Sequence, residues 1–416
     1  MRRWASGDER TLGVFLGVGV LTMAFLRLDK LRGAFGVVPE APLVLTVVIT
    51  ALAWWSLLPR SFVWLDPAVL TWRDYGGINR VAIVAGRLVG GWLGRLLALG
   101  YVLAVLSALV RAPVATTVAG VAVLVGAGFL ALAVVRRPRA EPWHEALAVL
   151  TLAVVGLTRP GPVVSFVLAG VLAVAGLVLF RPGTPPVADA TRQTLVDGWR
   201  DRVLRVSGVQ FLDLALLLPA ARPVRPRPLT SGLRLAWQGV LGRARHAPTA
   251  ALLGLTAAAV HRMLPALPDV VVFTVLGYLA LVPLGAGLGE LWRSPGRRRW
   301  VGSTDTALRW HHFLVTTTVA AAWGLPVWLL SGSAPAVLLT VPVLSACAVR
   351  TMTRKPPTYD NLVPVDTPFG AVPTRLILQT TRGPDAGVLA VLLVSALPVW
   401  GAALVVVAVV VLAVFR

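Results

Sequence analysis

The sequence is short of nearly everything a water-soluble chain of 416 residues uses. Charged residues make up 14% of it, against about 25% in an ordinary soluble protein. There are two lysines, Lys30 and Lys355, and neither completes the GxxxxGK[ST] pattern of a phosphate-binding loop. ATP hydrolysis through such a loop is thereby excluded for these residues. One cysteine, Cys347, leaves no disulfide framework and no cysteine-based metal site. Of five histidines, only His311 and His312 are neighbours, and adjacent helical side chains point about 100° apart, a poor pair of metal ligands. No cofactor or metal is expected. The 18 acidic residues fall in loops or at the ends of apolar runs. A proton- or sodium-coupled carrier usually keeps an ionisable relay in mid-membrane, so this distribution speaks against one. Ser331-Gly332-Ser333 lies in a turn with neither a GxSxG elbow nor a histidine expected at its depth, which argues against a serine hydrolase.

What is present is apolar surface. Hydrophobic residues make up 57% of the chain, and mean hydropathy is +0.79. Fifteen tryptophans against four tyrosines suit side chains placed at a membrane–water boundary. A spanning helix needs about 20 apolar residues. Twelve runs approach this: Leu12–Leu26, Ala41–Leu58, Leu96–Val110, Val114–Val135, Ala146–Leu157, Val163–Phe180, Ala250–Leu264, Val270–Leu288, Phe313–Ser331, Ala334–Val349, Gly387–Val399 and Gly401–Phe415. Several are short, so ten or eleven crossings are also compatible. With the N-terminus inside, the inner stretches carry 33 of the 39 arginines and lysines and the outer ones six. That split is what the positive-inside rule predicts. It also accounts for the net charge of +21 without nucleic acid as a partner. Both termini are expected in the cytoplasm, in a multi-pass protein of the inner membrane. Leu12–Leu26 lacks an A-x-A cleavage site and reads as a retained signal-anchor.

The expected fold class is an all-α integral membrane protein: residues 1–180 as a first six-span half, 181–248 as a cytosolic insert, and 249–416 as a second six-span half. With equal, even halves, any internal repeat would be parallel, related by an axis along the membrane normal. Within the insert, Thr191–Val206 places Leu195, Trp199 and Val203 at helical spacing, with Arg200 and Arg205 elsewhere around the helix. Such a helix suits the surface of the inner leaflet; packing inside a small soluble domain is the other reading. Each half has a basic loop after its second span. The first holds Trp64, Trp72, Arg73 and Asp74; the second holds Arg297, Arg298, Trp300, Arg309 and Trp310. Either these are docking surfaces for a partner or they are plain connectors.

At WLDPAVLTWRD (Trp64–Asp74), GWRDRVLR (Gly198–Arg205) and VDTPFG…RGPD (Val365–Gly370, Arg382–Asp385) the chain resembles permease subunits of ABC-2-type exporters of an actinobacterial branch. The resemblance implies a permease without catalytic residues, partnered by separately encoded ATPase subunits and moving an amphiphilic peptide or lipid-like cargo. It implies an elbow helix before the first span of a half, here Thr191–Val206 or else Leu233–Arg243. It implies ATPase-docking loops at Trp64–Arg80 and Arg293–Arg309. A membrane enzyme acting on lipid-linked substrates, with Asp29, Glu40 and Asp269 as its outer acids, and a non-transporting scaffold are the rival expectations.

Overall fold

The computed structural model describes residues 19, 22–23, 25–77, 80–136, 142–180, 191–210, 221–222, 231–355, 365–367, 370–372, 379 and 381–415. Side chains are described for these except residues 73–74, 81, 142, 209–210, 365–367 and 370–372. The run Leu12–Leu26 lies for the most part outside the described residues, and 181–190 and, within VDTPFG, Pro368 and Phe369 lie outside them too.

The architecture is helical. The helices are α1 (Leu28–Phe35), α2 (Ala41–Trp55), α3 (Pro67–Tyr75), α4 (Arg80–Val110), α5 (Val114–Val135), α6 (Pro142–Leu157), α7 (Pro162–Leu179), α8 (Arg192–Gln210) and α9 (Gly232–Leu241). A 3₁₀ turn at Ala244–His246 leads into α10 (Ala247–Met263). Then come α11 (Asp269–Arg293), α12 (Pro295–Trp300), α13 (Asp305–Ser331), α14 (Ala334–Met352), α15 (Pro384–Ala396) and α16 (Val399–Phe415). Between α14 and α15, β1 (Val365–Thr367) and β2 (Gly370–Val372) pair antiparallel, with Asp366 opposite Ala371. The other eleven apolar runs each fall on one of these helices. Arg87 does not interrupt α4, which extends well ahead of Leu96 as a single helix of 31 residues.

Local chemistry explains the boundaries. Ser231 caps α9 by accepting from Arg234 N–H, and Thr304 caps α13 by accepting from Ala307 N–H. Gly332, at φ 77°, ends α13 in the left-handed conformation that glycine adopts without strain. Three prolines sit inside helices: Pro283 in α11, Pro326 in α13 and Pro342 in α14.

Six helices, α4, α5, α7, α11, α13 and α14, are long and apolar enough to cross a membrane, and α2, α6, α15 and α16 are shorter apolar helices. Their outer surface supports a lipid setting. On α7, Val163, Val167, Val171, Val174 and Val178 are exposed, while the buried positions are Ser165, Ala169, Leu172 and Gly176. A helix in water turns its apolar face inward; α7 turns outward a valine face too large for a soluble surface and packs through small residues, as membrane helices do. A Cβ at Gly126 of α5 would lie 2.5 Å from the Ala169 carbonyl oxygen.

Two cores form, joined by a seam. In the first, α2 packs on α4, α5 and α6, and α5 packs on α4 and α7. In the second, α11 packs on α13, α14 and α15, and α14 packs on α13 and α16. At the seam α10 packs on α2 and α6 as well as on α11 and α13. Val44, Leu45 and Val48 meet Ala259 and Met263 there, and Trp55 Nε1 donates to Thr249 Oγ1 at 2.7 Å. At the other end of α2, Val38 N–H donates to the Met263 carbonyl at 3.1 Å.

Candidate functional site

Arginines gather at the end of the bundle where α2, α5, α7, α11 and α14 finish and α4, α6, α10, α13 and α15 begin. After α2 the chain is fixed by Leu57, Leu58, Phe62 and Leu65, all buried. This holds Trp64 in place. The Arg87 guanidinium carbon stands 3.6 Å from the Trp64 ring centroid and that of Arg202, from α8, stands at 4.4 Å. Trp199 of α8 stacks on Trp64 at 5.2 Å. Arg–Trp contacts of this kind contribute about 0.5–1 kcal/mol each when exposed and more when desolvated.

Helix α8 is pinned by its first turns. Leu65 N–H donates to the Leu195 carbonyl at 3.1 Å, and Arg192 donates to Thr71 Oγ1 at 2.9 Å. Gly198 lies so close to the Val63 carbonyl that a Cβ there would sit 2.0 Å from the oxygen. The sequence treated the Trp64–Arg80 loop and the Thr191–Val206 helix as separate features; the structure brings them together. It also divides the apolar face expected on that helix. Leu195 is buried and Trp199 half-buried against protein, whereas Val203, Leu204 and Val206 are exposed. Arg200 is exposed, and Arg205 donates to the Asp201 carbonyl one turn back.

The second half has a matching group. Trp292, near the end of α11, has Arg298 of α12 at 4.6 Å and Arg309 of α13 at 5.0 Å. Arg298 also pairs with Asp305 at 3.3 Å. Trp64, in the loop after α2, thus holds an arginine from α4 and one from α8, and Trp292, in the last turn of α11, holds one from α12 and one from α13. Trp292 was missed in the sequence reading; it lies in the last turn of α11, whereas Trp64 lies in the loop beyond α2. Arg298 and Arg309, expected as exposed charges, are half-buried. Trp72 and Trp300 are 80% and 92% exposed; Trp310 stacks on Phe313 at 5.6 Å. Arg297 is exposed. The side chains of Arg73 and Asp74 lie outside the described residues.

A carboxylate sits in the first turn of α6 and of α15. Glu145 pairs with Arg60 at 3.2 Å, both largely buried, and Asp385 pairs with Arg350 at 2.9 Å. Both carboxylates benefit from the positive end of their helix.

Two clefts open in the second half. One, of about 330 Å³, is apolar and lies between α10 and α13, with Gly254, Trp323 and Pro326 in its wall. The other, of about 260 Å³, lies between α9 and α11 and is lined by Arg222, Gln238, Arg243, Glu290, Arg297 and His312 among others. Arg243 is 1% exposed, donates to the Gly239 carbonyl at 2.9 Å and pairs with Glu290. Beside it, His246 is held below the usual histidine range by burial and by Arg245, Arg243 and Arg222.

At the opposite end of the bundle, Asp269 accepts from Ser333 Oγ and pairs with His261 Nδ1. A histidine does stand at the depth of the α13–α14 turn, contrary to the sequence reading. The serine donates to the carboxylate and not to the imidazole, so the group is not a nucleophile–base pair. Among the described residues no three His, Cys, Asp or Glu side chains converge as metal ligands.

Comparison with known proteins matches no family model, no curated protein and no solved structure.

Proposed function

We propose that this chain is the membrane permease of an ATP-driven, ABC-type exporter, built from two fused six-span halves and driven by separately encoded ATPase subunits. The observation that carries the reading is that each group of helices ends on a tryptophan held by two arginines, Trp64 with Arg87 and Arg202 and Trp292 with Arg298 and Arg309. The helix pairings support a duplication in part: the pairings of α2 with α4, α5 and α6, and of α5 with α4 and α7, recur as those of α11 with α13, α14 and α15, and of α14 with α13 and α16. The second set adds contacts of α15 with α14 and α16 and of α13 with α16. The 33-to-6 division of basic residues supports a cytoplasmic side for these groups and for both termini. A motor transmits force through contacts that survive its own motion. Arg309 and Arg87 belong to long helices that reach into the bundle, so a push on the loop reaches the spans. An amphiphilic peptide or lipid-like cargo suits the uncharged apolar cleft between α10 and α13.

Tagged chain should copurify with an ATPase carrying a phosphate-binding loop. In the reconstituted complex, Arg73→Glu with Arg309→Glu should abolish transport and cargo-stimulated ATP hydrolysis while insertion persists. Normal coupling in that double variant would remove the loops from the mechanism, and absence of any associated ATPase would end the exporter reading. A membrane enzyme acting on lipid-linked substrates is the second reading, favoured by Asp269 alone with its serine and histidine neighbours.

A further inference from the structure

The polar cleft between α9 and α11 is unusual in what surrounds it. Three arginines, Arg222, Arg243 and Arg297, face it against one carboxylate, Glu290. Glu290 is committed to Arg243. Arg222 and Arg297 are exposed and have no ion-pair partner among the described residues. The excess positive charge is felt nearby, since it helps hold His246 neutral. His312, 5% exposed, also lines the cleft; its Nδ1–H donates to the Leu308 carbonyl, which leaves Nε2 as the ring's remaining polar atom.

The other side of α9 is apolar. Leu233, Trp237 and Leu241 recur every four residues and are 40%, 39% and 55% exposed. The opposite face is seated against α11 at a glycine crossing, where a Cβ on Gly287 would lie 2.9 Å from the Gly239 Cα. A helix with a greasy outer face and a cationic cleft beneath it is shaped for a molecule that is both apolar and anionic.

We propose that this cleft holds the phosphate group of an anionic phospholipid, with the acyl chains lying along Leu233, Trp237 and Leu241. The phosphate oxygens take hydrogen bonds from Arg222 and Arg297, for which a guanidinium fork is well matched. Buried Arg243, fixed by Glu290 and Gly239, supplies charge at the floor. The leaflet is the cytoplasmic one, where anionic lipid surrounds a positive-inside protein. The inference rests on that orientation and is independent of any ATPase.

The test is lipid retention by the purified full chain, read by native mass spectrometry during titration with phosphatidylglycerol or phosphatidylcholine. Phosphatidylglycerol should bind saturably and be held at least tenfold more tightly. Arg222→Gln with Arg297→Gln should weaken it about thirtyfold, at about fivefold for each arginine near a charged surface. Arg262→Gln, at the other end of α10, should leave it unchanged, and unfolding temperatures of all forms check the fold. Equal retention of the two lipids, or unchanged retention in the double variant, overturns the site. Inorganic phosphate at millimolar concentration should not displace the lipid. Displacement would identify the ligand as the free anion and overturn the lipid assignment.

Discussion

Glu145 has almost no water around it, and Arg60 is the cation beside it. Removing one partner of a buried pair leaves the other charge uncompensated, at a cost of about 3–5 kcal/mol. Glu145→Gln should therefore lower the unfolding temperature in detergent by several degrees, and Arg60→Gln added to it should recover part of the loss. Additive losses would show that the two residues do not act as a pair. His246 gives a pH dependence of known sign. Its folded-state pKa is lowered by burial and then by Arg245, Arg243 and Arg222, so the unfolded chain takes up the proton first. Its contribution to stability is complete above the ordinary histidine pKa near 6.5 and is lost as pH falls below it. Wild-type unfolding temperature should drop between pH 7.5 and 5.5, and His246→Asn should flatten that drop. An equal drop in both would assign the acid sensitivity to other groups.

At the scale of elements, α8 shows how a surface helix is assigned to one half. Its seat depends on one close approach, Gly198 against the Val63 carbonyl. Gly198→Ala puts a methyl into that contact and should lift α8 from Trp64. Limited proteolysis near Arg200 and Arg205 should become faster, while Gly296→Ala, which meets open space, should change nothing. Unaltered cleavage would mean that α8 is held by other contacts. The helices themselves were legible in the sequence because apolar length and proline or glycine punctuation act locally. The pairing of Trp64 with Trp199 was not legible: they lie 135 positions apart and meet only through tertiary packing. Trp292 was passed over because it sits at the end of an apolar run, where a tryptophan has an ordinary boundary role. The periodicity of Thr191–Val206 gave the helix but not what its apolar face would meet, since lipid and protein reward the same spacing.

The whole molecule is held by a seam more apolar than polar. Leu252 of α10 belongs to the core of the first half, and Trp55 reaches across to Thr249. Helix α8 packs on α3, whereas α9 packs on α11 and α13. The stretch read as one cytosolic insert thus contributes its described helices α8 and α9 to different groups of helices. A chain cut between residues 211 and 230 and coexpressed as two pieces should reassemble and copurify, because each piece keeps its own surface helix. A cut between 181 and 190 separates α8 from its seat and should give a lower yield of complex. Equal recovery from both cuts would mean that α8 finds its place unaided.

The prolines inside α11, α13 and α14 carry one more consequence. Each removes a backbone donor and leaves a carbonyl one turn back, at Leu279, Ala322 and Leu338, without its helical partner. Helices α2, α4 and α5 have no proline beyond the first turn. A helix with an unmet carbonyl at mid-length bends under a smaller load than an unbroken one, so a load shared by all six would move α11, α13 and α14 before α2, α4 and α5.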